Sequence, residues 1–298
     1  MSNERSEPAV RPRRAVPFRG WLIAAGVVAV LTAVGVRLWY SPTVDPEPLK
    51  PVHAPDPTLL KHEGEIQARV ATILTTPPAL DEKSPHPVEG VPSNASPELS
   101  AFRIVEDHRV YDLRAWKPVG AGDGPHTAGV LMTRTMKLVK QAAADRIDFL
   151  TRTSGSDLAV RCDVPRSDAA RVFVSQKKPV VSGREMTEHR LSVDVAGVPV
   201  GGAFDLSFRT TYWNSLQTPE EQWFGTIGYD GSTLLSMLIL FPEFRPFKGG
   251  GLRTGPANGD LVPYDGTQLV FKGGAGAWMY WEVPGPKTGN IYRLDWKW

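Results

Sequence analysis

The sequence predicts a mainly β protein: an antiparallel, sandwich-like β domain over residues 100–298, set behind a single N-terminal transmembrane helix and a proline-rich spacer. Three observations carry this. Gly20–Tyr40 is an apolar run, uncharged as far as Val36. Six prolines crowd the stretch Ser41–Pro57. Beyond Ser100, short segments alternate apolar and polar residues and are separated by Gly- and Pro-rich turns, with no βαβ rhythm.

Residues 1–19 form a short basic tail, too short to fold and without an enzymatic motif. Residues 20–40 have the length that a hydrocarbon core of about 30 Å requires, roughly 20 helical residues. Arg37 is near enough to the end to snorkel its guanidinium to the interface. Phe18 and Trp21 flank one end and Trp39 and Tyr40 the other, as in an aromatic belt. Arg5, Arg11, Arg13, Arg14 and Arg19 precede the run, whereas Arg37 and Lys50 are the basic residues close behind it, beside Asp45 and Glu47. The positive-inside rule therefore places the N-terminus in the cytoplasm and the main domain outside the cell (inner) membrane, in a periplasm-like compartment. A cleaved signal peptide is the competing reading. The length of the run and its exit, Arg37-Leu-Trp-Tyr-Ser-Pro42, which lacks a small-residue cleavage site, favour an uncleaved signal-anchor.

Residues 41–99 read as spacer. The prolines impose extended backbone of about 3 Å per residue. Asp45-Pro-Glu-Pro-Leu-Lys-Pro51 resembles the Glu-Pro/Lys-Pro spacers of TonB-type proteins, which share the plan of short tail, anchor, spacer and outer domain. That resemblance implies reach from the bilayer. Within the spacer, Leu59, Ile66, Val70 and Ile73 recur at helical spacing, predicting a short helix near 58–73 that Pro77-Pro78 stops. The proline-bearing stretch 77–97 reads as loop and carries the glycosylation triplet Asn94-Ala-Ser96.

In the main domain, Phe204, Leu206, Phe208 and Tyr212 alternate against Asp205, Ser207 and Arg209. Leu191, Val193 and Val195 do the same, as do Tyr292, Leu294, Trp296 and Trp298. Further strands are expected at Phe102–Val105, Val110–Trp116, Val130–Val139, Ile147–Thr153, Leu158–Val164, Ala170–Ser175, Thr267–Phe271 and Ala277–Val283. Thr233–Phe241 is nearly continuous apolar; its length, with Asp230-Gly231 before it and Pro242 after it, favours a buried strand. Tyr229-Asp-Gly and Tyr264-Asp-Gly read as the same tight turn used twice. Thr218-Pro-Glu-Glu221 reads as a capped helical turn, which accounts for Glu220 and Glu221 better than a paired acid/base does. Lys248-Gly-Gly-Gly-Leu-Arg253 lacks the context of a phosphate loop and reads as a flexible surface loop.

Charge and cysteine narrow the function. The chain has 34 basic and 32 acidic residues, and residues 1–40 hold six Arg and two Glu, so the part beyond Tyr40 is near neutral. Nucleic acid is therefore not an expected partner. Cys162 is the only cysteine and falls on the apolar face of an alternating strand, a buried position with no internal disulfide. No zincin, nucleophile-elbow or P-loop motif is present, and no cofactor or metal is expected.

Two clusters are candidate sites. Asp107, His108 and Asp112, within Glu106-Asp-His-Arg-Val-Tyr-Asp112, have the groups for a base and its orienter, but the polar run reads first as a turn between two strands. Six of nine tryptophans lie from Trp213 onward. Trp213, Asn214, Trp223, Trp278 and Trp281 are the candidate binding residues, as an exposed aromatic rim suited to a sugar or a protein hot spot. A second buried layer is the competing account. The expected function is a single-pass, membrane-anchored β-sandwich that binds a partner protein or a glycan of the envelope, with no catalysis assigned. The alternatives are an envelope hydrolase of glycan or peptide, a sensor or effector subunit signalling through a partner, or, with reversed topology, a cytoplasmic recognition domain.

Overall fold

The computed structural model describes residues 57–84, 99–163, 172–177, 180–181, 184–185, 187–218, 222–245, 247, 249–257, 259–264, 267–273 and 276–297. The tail, the anchor Gly20–Tyr40, the first part of the spacer, the Asn94 triplet, the turn at Pro219–Glu221 and Trp298 lie outside the described residues. Among those described, no helix is long and apolar enough to cross a membrane.

The chain opens with α1 (Pro57–Leu74) and a 3₁₀ turn at Leu99–Ala101. The strands follow as β1 (Phe102–Asp112), β2 (Gly129–Lys140), β3 (Arg146–Thr153), β4 (Asp157–Asp163), β5 (Val172–Lys177), β6 (Val180–Val181), β7 (Arg184–Glu185) and β8 (Thr187–Asp194). The second half supplies β9 (Ala203–Trp213), β10 (Trp223–Ile227), β11 (Leu234–Leu240), β12 (Gly249–Pro256), β13 (Val262–Pro263), β14 (Thr267–Gly273), β15 (Gly276–Pro284) and β16 (Asn290–Lys297). The protein is mainly β, with mixed and antiparallel sheets. A seven-stranded sheet runs β14-β15-β11-β1-β2-β9-β4, a four-stranded sheet β10-β16-β12-β13 and a three-stranded sheet β3-β8-β5. The purely antiparallel expectation fails at one place. β1 and β11 pair in parallel, Glu106 opposite Leu234 through Asp112 opposite Leu240.

Period-2 alternation explains most strands. Leu206 and Phe208 of β9, Leu191 and Val193 of β8, and Tyr292, Leu294 and Trp296 of β16 all enter one apolar cluster built from the three larger sheets. Cys162 joins it as a buried thiol on β4, outside any disulfide. β11 reads as continuous apolar because both its faces are covered. Leu235, Met237 and Ile239 enter the main core, while Leu238 and Leu240 enter a second cluster with Ile66 and Val70 of α1, Val110, Trp278 and Tyr280. Burying Ile66 and Val70 contributes roughly 1.5–3 kcal/mol each. The Arg114 guanidinium ends the helix by donating to the carbonyls of Ile73, Leu74 and Thr76 at 3.0, 3.3 and 2.8 Å, where a cation suits the helix C-terminus.

The residues after α1 continue along the same outer face. The Leu80 side chain covers Gly129, whose added Cβ would fall 2.5 Å from it. The backbone N–H of Asp81 donates to the Thr211 hydroxyl (3.0 Å), its carbonyl accepts from Trp213 Nε1 (3.0 Å), and its carboxylate pairs with Arg161 (2.8 Å). Ser84 Oγ accepts from the N–H of Val160 on β4, the last strand of the sheet. This protects a sheet edge that would otherwise present a free donor.

Two local expectations are corrected. Glu106–Asp112 is not a turn: β1 runs unbroken through it, with a bulge between Ile104 and Glu106. The glycine-rich stretch is not a surface loop either, since Gly249–Arg253 belongs to β12 and pairs with β16. Gly250 is required there. An added Cβ would lie 2.4 Å from the Asp295 carbonyl oxygen, whereas one on Gly251 meets nothing within 4 Å. Gly231, in the first Asp-Gly turn, has φ +67°; the second Asp-Gly lies outside the described residues.

Gly250→Ala is therefore expected to destabilise the protein by about 1–3 kcal/mol, the usual cost of overpacking. Gly251→Ala should stay within about 0.5 kcal/mol. Parallel thermal melts of the two variants provide the check.

Candidate functional site

Because β1 is a strand, its side chains alternate between faces. Asp107, Arg109 and Tyr111 face the core side; Glu106, His108 and Asp112 face the side covered by α1. Asp107 and His108 are thus separated by the sheet and cannot act as one acid–base pair. Asp112 accepts from Arg114 Nη2 (2.7 Å) and Nε (3.0 Å), steadying the guanidinium that ends α1.

On the core side, Asp107 is held by two arginines. Arg134 on β2 donates Nε and Nη2 to its two oxygens, each at 2.8 Å. Arg109 donates Nη2 at 2.9 Å. The Asp107 side chain is 0% exposed, and those of Arg109 and Arg134 are 12% and 9% exposed. Burial by itself would raise the Asp107 pKa; Arg109 and Arg134 outweigh it and hold the carboxyl well below the usual carboxylate range. Burial likewise works against the charge on Arg109, and Asp107 more than restores it. Arg109 and Arg134 sit directly opposite one another across β1 and β2. Like charges disfavour that pairing, and the carboxylate between them makes it tolerable.

The arginines also reach beyond the sheet. Arg109 Nη1 donates to the Gly225 carbonyl on β10 (3.0 Å) and Arg134 Nη2 to the Tyr229 hydroxyl (3.0 Å). Arg134 lies over the rings of Phe149 and Phe208, 5.3 and 5.8 Å from their centroids, a favourable stacking for a guanidinium. The ion cluster therefore ties β1 and β2 to the four-stranded sheet and packs against β3.

Above it opens a cleft of about 500 Å³, within the size range of small-ligand sites. Its floor is the core side of β1, β2 and β9, with Arg109, Arg134, Tyr111 and Tyr212. One wall is β3 and the residue after it, with Leu150, Thr151, Thr153 and Ser154; the other is β10, Trp223 to Ile227. Tyr111 stacks on Phe224, centroids 3.6 Å apart and planes 11° from parallel, which joins floor to wall. Burial, then the neighbouring Tyr111, push the Tyr212 phenol far above its usual range, so the Tyr212 hydroxyl stays neutral. Among the described residues, Arg109 and Arg134 are the charged residues of the lining, and no histidine or carboxylate belongs to it.

The tryptophans distribute differently from an exposed rim. Trp213, Trp278 and Trp281 are 6%, 6% and 0% exposed. Trp213 lies beneath the Asp81 segment with His126 against it at 4.9 Å. Trp278 lies under α1, and Trp281, of opposite parity, is in the main core. Asn214 has φ 54°; its side-chain oxygen accepts from the N–H groups of Thr127 and Ala128, and its amide donates to Gly124 and Pro125. These residues hold the fold. Trp223 is half-buried in the cleft wall, with the Arg293 guanidinium 4.6 Å from its ring centroid. Sequence reading placed Phe224 beside Trp223 in the candidate rim but missed Arg109, Arg134, Tyr111 and Tyr229 as site residues. The legible signal was the Asp-x-Arg-x-Tyr spacing from Asp107 to Tyr111, which places three hydrogen-bonding side chains on one strand face.

On the opposite face, His108 Nδ1 lies 2.7 Å from Ser236 Oγ and His108 Nε2 lies 3.2 Å from Glu106 Oε2. The order acid–imidazole–hydroxyl has the distances of a nucleophile relay. However, Ser236 sits in β11, paired on both sides by β1 and β15. Its neighbouring N–H groups are committed to the sheet and cannot stabilise an oxyanion. Lys137 engages Glu106 at 2.9 Å as well, so the row is a polar ladder. Among the described residues, no group of three or more His, Cys, Asp or Glu side chains is placed to hold a metal.

No family model matches the sequence, and no curated protein matches it either. Among solved structures, one that resembles it is a candidate protease from Parabacteroides distasonis. The identity is 10% and the TM-score 0.41 over 67% of this chain, which spans 41% of that protein's length. Neither fold nor activity transfers at that level.

Asp107→Asn leaves two buried guanidiniums without their carboxylate and is expected to cost about 3–5 kcal/mol. Glu106→Gln, one residue away on the other face, should cost under about 1 kcal/mol. The urea midpoints of the two variants measure the difference. His189 on β8 supplies a pH test. It is buried, and neither ring nitrogen has a hydrogen-bond partner among the described residues. Burial pushes its pKa below the ordinary 6.5, against a weaker pull from Asp157. A depressed folded pKa means its contribution is complete above about pH 6.5 and is lost as pH falls below that. Melting temperature should drop between pH 7.5 and 5.5, and His189→Leu should flatten that drop.

Proposed function

We propose that the chain is a membrane-anchored binding module of the cell envelope. Gly20–Tyr40 holds it in the inner membrane with the N-terminus in the cytoplasm, and the proline spacer carries the β domain outward. The architecture is read as a β-sandwich, with the seven-stranded sheet as one layer and the four- and three-stranded sheets as the other. The ligand, part of an envelope protein or glycan, enters the cleft between the layers.

One observation carries this reading. Among the described residues, the cleft is lined by aromatic, aliphatic and hydroxyl side chains and by two arginines, with no histidine or carboxylate in it. Such a lining supplies surface, hydrogen-bond donors and positive charge, the means of recognition, but no general base. The hydrolase alternative loses its motive because Asp107 and His108 lie on opposite faces of β1.

Two experiments test the proposal. A photo-crosslinking residue at Ile227, which lies in the cleft lining and is 36% exposed, should give a discrete adduct in cells. The same residue at Val262, exposed on β13 outside the cleft lining, should give none; equal labelling at both positions would overturn the assignment of the cleft. A periplasm-active reporter fused after Trp298 should be active, and activity of a cytoplasm-only reporter there would reverse the topology.

A further inference from the structure

We propose that the cleft receives the free C-terminal end of an extended peptide, its carboxylate at Arg109 and Arg134 and its last apolar side chains along the walls. This rests on the binding-module reading above and specifies its ligand.

Charge is the first support. Arg109 and Arg134 are the charged groups of the lining, and the one carboxylate they share lies beneath them, fully buried. Two guanidiniums against one carboxylate leave one positive charge at the floor of a largely apolar cleft. There it attracts an anion more strongly than in water, and guanidinium N–H groups suit carboxylate geometry.

The walls are the second support. Val130, Met132, Leu216 and Ile291 line the cleft beside the aromatics. Leu150 and Ile227, two of the exposed large hydrophobic residues, are 46% and 36% exposed in the lining. Aliphatic surface of this kind suits side chains such as Val or Leu.

Strand pairing is the third. Among the described residues, β3 pairs only with β8 and β10 only with β16, so each ends its sheet, and both line the cleft. The open side of a terminal strand offers backbone donors and acceptors at strand spacing, although on β10 the Gly225 carbonyl already accepts from Arg109. Extended peptides bind such edges by adding a strand. A chain terminus fits a cleft of this volume and carries its carboxylate on the backbone itself, at the end of the added strand.

The test uses the full-length chain purified in detergent, with immobilised decapeptides anchored by their N-termini and ending in Val, Leu or Phe. Free-acid peptides should bind, and the same peptides amidated at the C-terminus should bind at least tenfold more weakly. Ile227→Glu, which places a like charge at an exposed cleft residue, should weaken the free-acid peptides at least tenfold without changing the melting curve. Arg134→Lys should reduce the preference for free acid over amide. Equal binding of acid and amide forms would overturn the inference, as would binding of oligogalacturonate by a protein that binds none of the peptides. If crosslinking at Ile227 succeeds while acid and amide peptides behave alike, only the peptide-end ligand falls. If crosslinking at Ile227 matches that at Val262, the binding-module reading falls first.

Discussion

Asp107 is the carboxylate on which the sheets of this protein meet. It is fully buried, and it is ionised because Arg109 and Arg134 bracket it. Neither arginine could be buried alone, since desolvating an unpaired guanidinium is costly. Held together, the three allow two cations to face each other across β1 and β2. They also fix β10 through Gly225 and the chain beyond it through Tyr229. The cleft exists because these contacts set the spacing between β10 and the large sheet. An ion triplet of this kind is a weak source of net stability; its effect here is geometric, fixing which strands lie opposite which.

The outer face of the large sheet depends on a different device. Residues 57–84, which read as spacer, lie along it. α1 covers β1, β11 and β15, and the segment from Leu80 to Ser84 reaches β9 and β4. This arrangement explains why Trp213 and Trp278 can point away from the main core and still be buried. It also ties the segment closest to the proposed membrane anchor into the same sheet that floors the cleft.

The legible part of the sequence was the part with one wet face. β8, β9 and β16 alternate strictly, and alternation is unambiguous when one side is core and the other is polar. Cys162 and the buried run in β11 were legible for the same reason. β1 was not, because both its faces carry charge around Glu106–Asp112. Ion pairs occupy one side and a polar ladder the other, and a strand polar on both faces has the composition of a turn. β12 was hidden because three successive glycines carry no periodicity; Gly250 is there for the approach of Asp295 and Trp296, a constraint set by a partner strand far away in the chain. The aromatic rim was misplaced because the cover of Trp213 comes from Asp81, more than a hundred residues earlier. Of the cleft, Trp223 was anticipated. Its arginines were not, since their meeting depends on the register of β1 against β2.

The parallel pairing of β1 with β11 has a consequence for assembly. β1 sits near the middle of the seven-stranded sheet, yet its partner follows it by 128 residues, the separation between His108 and Ser236. Closing so long a loop delays folding relative to local hairpins. While the chain is made, β1 and β2 can pair as neighbours, but one side of β1 stays open until β11 arrives. The centre of the sheet is therefore completed late, with an unpaired strand edge waiting in the interval, the kind of surface that draws chaperones or misassembly.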